Sequence, residues 1–237
     1  MKKDRYFYSI VSLTMLILTA IGFSKFLMGG KESDDSEIPP AIKALVVVHG
    51  VALLLWIVVF FVQSVLIAVR SRKLHMTLGW GGVAIALVVI LTSPVMATRA
   101  VRVRPMEHLF GMTYSQFLLV MYTEVLAFAT FVALAVAYRQ KPNVHRSMIV
   151  LATLAVISGS TSRIDVLYGA FGGHGWAGLF GVPIALGAVI LAARMILDRR
   201  FNAPFAAGYA ALTAAYITVF SVAVGPWWTT TVARLAK

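Results

Sequence analysis

Of the 237 residues, 60% are hydrophobic and only 13% are charged, which excludes an ordinary soluble domain and leaves an integral membrane protein. The formal charge of +12 would suggest nucleic acid in a soluble chain. Here the basic residues stand in short clusters between apolar runs, the pattern of topology signals and anionic-lipid contacts, so nucleic acid is set aside as a partner.

Runs of about 20 apolar residues, each enough to cross roughly 30 Å of hydrocarbon, predict an all-α protein with seven transmembrane helices in one bundle, a single domain over residues 1–237. The expected spans are about 6–28, 42–69, 76–97, 112–138, 144–168, 177–197 and 204–224. Lys2, Lys3 and Arg5 precede the first, and no small-residue cleavage site follows it, so it reads as a retained span rather than a signal peptide. An acidic loop follows, with Glu32, Asp34, Asp35 and Glu37. Basic turns then recur at Arg70, Arg72 and Lys73, at Arg139 and Lys141, and at Arg199 and Arg200. This distribution predicts the N-terminus inside and the C-terminus outside, against only the basic connector 99–104. Trp227 and Trp228 are expected as interfacial anchors beyond the last span.

The second span carries His49, Trp56 and Gln63 seven residues apart, hence on one stripe. Hydrocarbon cannot satisfy such a stripe, so it must face protein. At 1.5 Å per residue, His49 lies about 10 Å below the outer surface, with Arg163 at comparable depth and Glu124 near mid-membrane, within side-chain reach of that level. Asp165, His108 and His174 lie above them, His174 within a glycine-rich loop. At the inner surface His75 and His145 each open a span after a basic turn, in the related stretches 74–78 and 144–148. If span 5 is one continuous helix, His145 and Arg163 share an azimuth, five turns apart. Each feature has a structural alternative: Glu124 and Arg163 could simply tie two helices together, and interfacial histidines commonly snorkel.

Two chemistries suit these residues. One is haem b held by axial imidazoles from two helices, His75 with His145 below and His49 with His108 above. The other is a metal site, from His49, His108 and Glu124 or from the soft set Met96, Met106, His108 and Met112. Without cysteine, thiolate sites and thioether haem attachment do not arise. The order of histidines over about residues 45–159 resembles the layout of ascorbate-dependent two-haem b-type transmembrane cytochromes, which implies four central helices donating one histidine each. By depth His108 stands above His49, so the outer pair requires span 4 to start early or tilt.

The chain also resembles uncharacterised bacterial multi-span membrane proteins, in His49-Gly50 with Trp56 and Gln63, in Arg70 with Leu74-His75 and Leu78-Gly79, and in His145-Arg146 with Met148 followed by Arg163. That likeness implies a bacterial inner-membrane setting. Redox or electron transfer at paired histidines is the leading expectation. The alternative is a transporter or a small-molecule or lipid-binding protein with Glu124, Arg163 and His49 as its polar site, and association with other membrane subunits is compatible with both. No phosphate loop, Gly-x-Ser-x-Gly or His-Glu-x-x-His motif occurs.

Overall fold

A computed structural model describes residues 5–32, 35–104, 108–109 and 111–235. The first expected span is divided: α1 (Phe7–Gly22) gives way at Phe23 to the short α2 (Ser24–Gly29). Prolines 39 and 40 then start α3 (Pro40–Ala68), where a missing N–H costs nothing. Arg70, in the left-handed conformation at φ 64°, reverses the chain into α4 (Arg72–Val103). The basic stretch expected as a connector is therefore mostly helix, with Arg99 and Arg102 exposed on its last turns.

A two-residue hairpin follows, β1 (His108–Leu109) against β2 (Met112–Thr113). It delivers α5 (Tyr114–Ala137) through a reciprocal cap, with Gln116 N–H donating to Thr113 Oγ1 at 3.2 Å and Thr113 N–H to Gln116 Oε1 at 3.0 Å. The fifth expected span breaks into α6 (Pro142–Val156), α7 (Ser158–Thr161) and α8 (Asp165–Ala170). The break falls in the run Ser158-Gly159-Ser160-Thr161-Ser162, where the Thr161 and Ser162 hydroxyls bond carbonyls one turn back and compete with the helical ladder. His145 and Arg163 thus do not share one helical face. The chain continues as α9 (Gly175–Asp198), α10 (Ala203–Ala223), and a further helix that the apolar pattern did not announce, α11 (Pro226–Leu235). In α11 Trp228 is buried and bonds the Ser115 carbonyl at 2.9 Å, while Trp227 is exposed.

Five helices, α3, α4, α5, α9 and α10, are long and apolar enough to cross a membrane. Their outward faces expose large apolar side chains such as Leu91, Leu126 and Val189, as lipid contact requires and water would not favour. Helix α6 is the central post. From Ser147 to Ala155 all but Ile149 are buried, against α5, α9 and α10. The short turns send successive helices in opposite directions, so Arg70, Arg139, Lys141, Arg199 and Arg200 gather at one end, called the basic end below. Helix α1 packs on α3 and α7 through small polar residues, including Ser12 to Ser64 at 2.8 Å. At Gly22 the approach is so close that a Cβ would overlap the Ser160 carbonyl.

Candidate functional site

His49, Trp56 and Gln63 face protein, each with its own partner. The buried His49 ring places Nδ1 3.0 Å from Thr92 Oγ1 of α4. The one hydroxyl proton of Thr92 goes to the Val88 carbonyl at 2.7 Å, so His49 donates through Nδ1 and keeps its lone pair on Nε2. Trp56 donates to Thr153 Oγ1 of α6 at 3.2 Å and meets Phe128 edge-on at 5.0 Å. Gln63 crosses to the start of α4. Its amide oxygen accepts from Gly79 N–H at 3.0 Å, and its amide nitrogen donates to the His75 carbonyl at 3.2 Å and to His75 Nδ1. The two backbone partners fix which way round the amide sits.

His75, at the start of α4, meets His145, at the start of α6. The ring centres are 6.3 Å apart and the planes cross at 87°. His145 Nδ1 is 2.9 Å from the Ala135 carbonyl, which can only accept, so the neutral ring carries its proton on Nδ1 and offers Nε2 as a lone pair. That is the usual second bond of a metal-binding histidine. His75 is wired the other way, because a donor on Nδ1 leaves the neutral ring's proton on Nε2. The separation is informative. Two rings joined by a direct N–H···N bond stand roughly 5 Å centre to centre. Two imidazoles on opposite sides of one metal, at about 2 Å per bond, stand roughly 6 Å apart. The observed spacing is longer than a direct N–H···N bond and falls within the range of an ordinary T-shaped ring contact.

Toward the opposite end, Glu124 accepts from Ser158 Oγ, and Arg163 donates to the Gly159 carbonyl with its guanidinium 4.9 Å above the Phe23 ring. Glu124 and Arg163 lie within electrostatic reach of each other. The depth argument did not select their neighbours. Arg104 makes a two-pronged pair with Glu32, both contacts 2.9 Å, with 12% and 24% of the side chains exposed. Tyr114 lies within reach of Glu32, Arg104 and Arg163.

Other expected residues do not join a site. His108 is exposed on the hairpin opposite Thr113, and Asp165 and His174 are exposed near the starts of α8 and α9. Among the described residues no three histidine, aspartate or glutamate side chains converge on a metal position. The expected set of His49, His108 and Glu124 is therefore not assembled: His49 is held by Thr92, Glu124 by Ser158, and His108 stays at the surface. Of the soft-metal set, Met112 is buried in the core and Met106 lies outside the described residues.

No family model matches this chain, and no curated protein or solved structure is significantly similar to it.

The sequence reading also missed Arg194, buried in α9, bonded to Asp198 at 2.7 Å and set against the Phe7 and Tyr8 rings at 5.4 and 5.3 Å. An arginine inside an apolar run, four residues before an aspartate, was the available signal.

Proposed function

We propose that this protein is a bacterial inner-membrane protein whose basic end holds a metal-centred redox site between His75 and His145, with haem b as the leading candidate. The observation that carries the proposal is the pairing of two imidazole rings from separate helices, centres 6.3 Å apart and planes at 87°. Two features support a metal at this point: His145 presents Nε2 with its Nδ1–H anchored on a carbonyl, and the His75 ring of a second helix stands beside it. His75 would present Nε2 as a ligand if Gln63 left its contacts with Nδ1, the His75 carbonyl and Gly79 N–H, freeing the ring to carry its proton on Nδ1. When bound, haem b would supply a one-electron iron couple. The protein's part is to hold both rings at a fixed separation and to set which nitrogen of each bears the proton.

The proposal is of one centre. His49 keeps a lone pair on Nε2, but His108 stays exposed on the hairpin and is not brought to it, so nothing favours a second pair. Seven passes follow if α1 with α2, and α6 with α7, each make a shorter crossing beside the five long helices. The basic end then faces the cytoplasm, by the excess of lysine and arginine there.

The test is an absorption spectrum of purified protein, expressed with ample haem, oxidised and then reduced with dithionite. A Soret band and a sharp reduced α-band are expected. His75→Ala or His145→Ala should each abolish the same absorbance, and His174→Ala should leave it intact. Colourless protein overturns haem. Absence, in addition, of any stoichiometric metal by elemental analysis overturns the metal-centred proposal.

A further inference from the structure

At the end of the molecule opposite the basic end, and independent of the histidine pair, α11 follows α10 after a two-residue turn. We infer that α11 lies along the bilayer boundary there, with its Trp227 flank in the lipid headgroup layer and its Thr229 flank in water.

Length fixes the level. The 21 residues of α10 rise about 31 Å, close to the roughly 30 Å of a hydrocarbon core. A helix that enters beside Arg200 therefore leaves the core near Ala223, and α11 begins three residues later, at Pro226. Its contacts agree. Trp228 donates to the carbonyl of Ser115, in the first turn of α5, at 2.9 Å. Trp228 and Val232 share a small core with Ala97, Val101 and Leu118, close to where α4 ends and α5 begins. Ten residues, about 15 Å of helix, are too few to cross the membrane again.

Side-chain chemistry then separates the boundary from water and from hydrocarbon. No charged residue occurs between Arg200 and Arg234, and Trp227 is 66% exposed. Bulk water favours neither feature. Hydrocarbon does not suit Trp227, whose indole N–H has no acceptor among the described residues. At the boundary the ring meets acyl chains and the N–H meets water or phosphate. The flanks follow from about 100° per residue. With Trp228 and Val232 against the protein, Trp227 and Thr231 fall to one side and Thr229 to the other. The threonines make no demand on the lipid. Thr229 and Thr230 donate to the Pro226 carbonyl at 3.0 and 2.8 Å, and Thr231 to that of Trp227 at 2.8 Å.

The chain contains no cysteine, so a single introduced one can be spin-labelled without competition. Trp227→Cys and Thr229→Cys, both at exposed positions, are labelled in the full-length protein and reconstituted into liposomes of phosphatidylcholine and phosphatidylglycerol. Collision with oxygen, which concentrates in hydrocarbon, is compared with collision with a water-soluble nickel chelate. Leu126→Cys on the lipid-facing side of α5 and Glu37→Cys in the exposed loop supply the two limits. The oxygen-to-nickel ratio at position 227 should fall between those limits and stand several-fold above that at 229, which should approach the loop value. Thr231→Cys should follow position 227, and carries the test if Trp227→Cys does not fold. Nickel-dominated collisions on both flanks would place α11 in water. Ratios on both flanks equal to that at 126 would turn it back into the bilayer. Protection from both reagents on both flanks would mean that another polypeptide covers it. Any of these results, or a higher ratio at 229 than at 227, overturns the inference.

Discussion

Where α4 ends, Arg104 is clasped by both oxygens of Glu32, Glu124 takes the Ser158 hydroxyl, and Arg163 lies on the Gly159 carbonyl and the Phe23 ring. Where α4 begins, His145 spends one nitrogen on a backbone carbonyl and keeps the other, and the His75 ring stands beside it, centres 6.3 Å apart. The first region matches charge with charge inside the protein. The second holds two imidazole rings, of which His145 keeps an uncommitted Nε2 while His75 Nδ1 accepts from Gln63. Polar residues at similar distance from water can thus serve opposite ends, and what separates them is whether their lone pairs are already spent. On that comparison Glu32–Arg104 is a structural clasp and His75–His145 the place where a site is proposed.

The comparison breaks most visibly if the clasp is not structural. Glu32→Gln or Arg104→Gln should each lower stability in detergent by about 2 kcal/mol, below the 3–5 kcal/mol typical of a fully buried pair because both side chains keep some exposure. The double variant should lose clearly less than the sum. Single variants that melt like the wild type would show that the pair contributes nothing there.

Glu124 and Arg163 offer a smaller effect in the same region. Glu124→Gln retains an acceptor for Ser158 and should cost about 1 kcal/mol, while Arg163→Gln loses the aromatic and carbonyl contacts and should cost about 1–2 kcal/mol. A double-mutant cycle in detergent should leave a favourable coupling energy. Strictly additive losses would mean that the two charges act separately, and would return Arg163 to consideration as a ligand-binding cation.

Much of this was legible in the chain. Apolar runs located the five long helices to within a few residues at most ends, because hydrocarbon enforces length and composition together. The seven-residue recurrence of His49, Trp56 and Gln63 identified an inward stripe, and the matched starts around His75 and His145 anticipated neighbouring rings. Depth arithmetic failed where helices were not straight. The hydroxyl-rich run 158–162 broke the face expected to join His145 to Arg163, whereas His108, expected near the outer surface, is exposed on the hairpin. Arg104 and Glu32 stand 72 residues apart, and no local pattern reports a contact between a loop and the far end of a helix. Nor does sequence reveal a proton: the opposite wiring of His75 and His145 depends on Gln63 and on the Ala135 carbonyl, groups placed by packing.

The smallest effect tests that wiring directly. In metal-free protein, nitrogen NMR of labelled histidine should find His75 protonated on Nε2 and His145 on Nδ1, two tautomers in one pair of touching rings. Gln63→Leu keeps the apolar stem, removes the donor to His75 Nδ1, and abandons the contacts with the His75 carbonyl and Gly79 N–H. Since α4 supplies its own ladder partners to those groups, the loss of stability should be only about 1 kcal/mol. The tautomer of His75 should nevertheless lose its bias toward Nε2–H, while His145, anchored on Ala135, keeps Nδ1–H. Finding His75 protonated on Nδ1 in the unaltered protein would reverse the assignment of the Gln63 amide. The pair would then already present two Nε2 lone pairs, and metal binding would need no rearrangement of Gln63. A His145 signal that changes along with His75 in Gln63→Leu would instead show that the rings share a proton, and the space between them would be that of a relay.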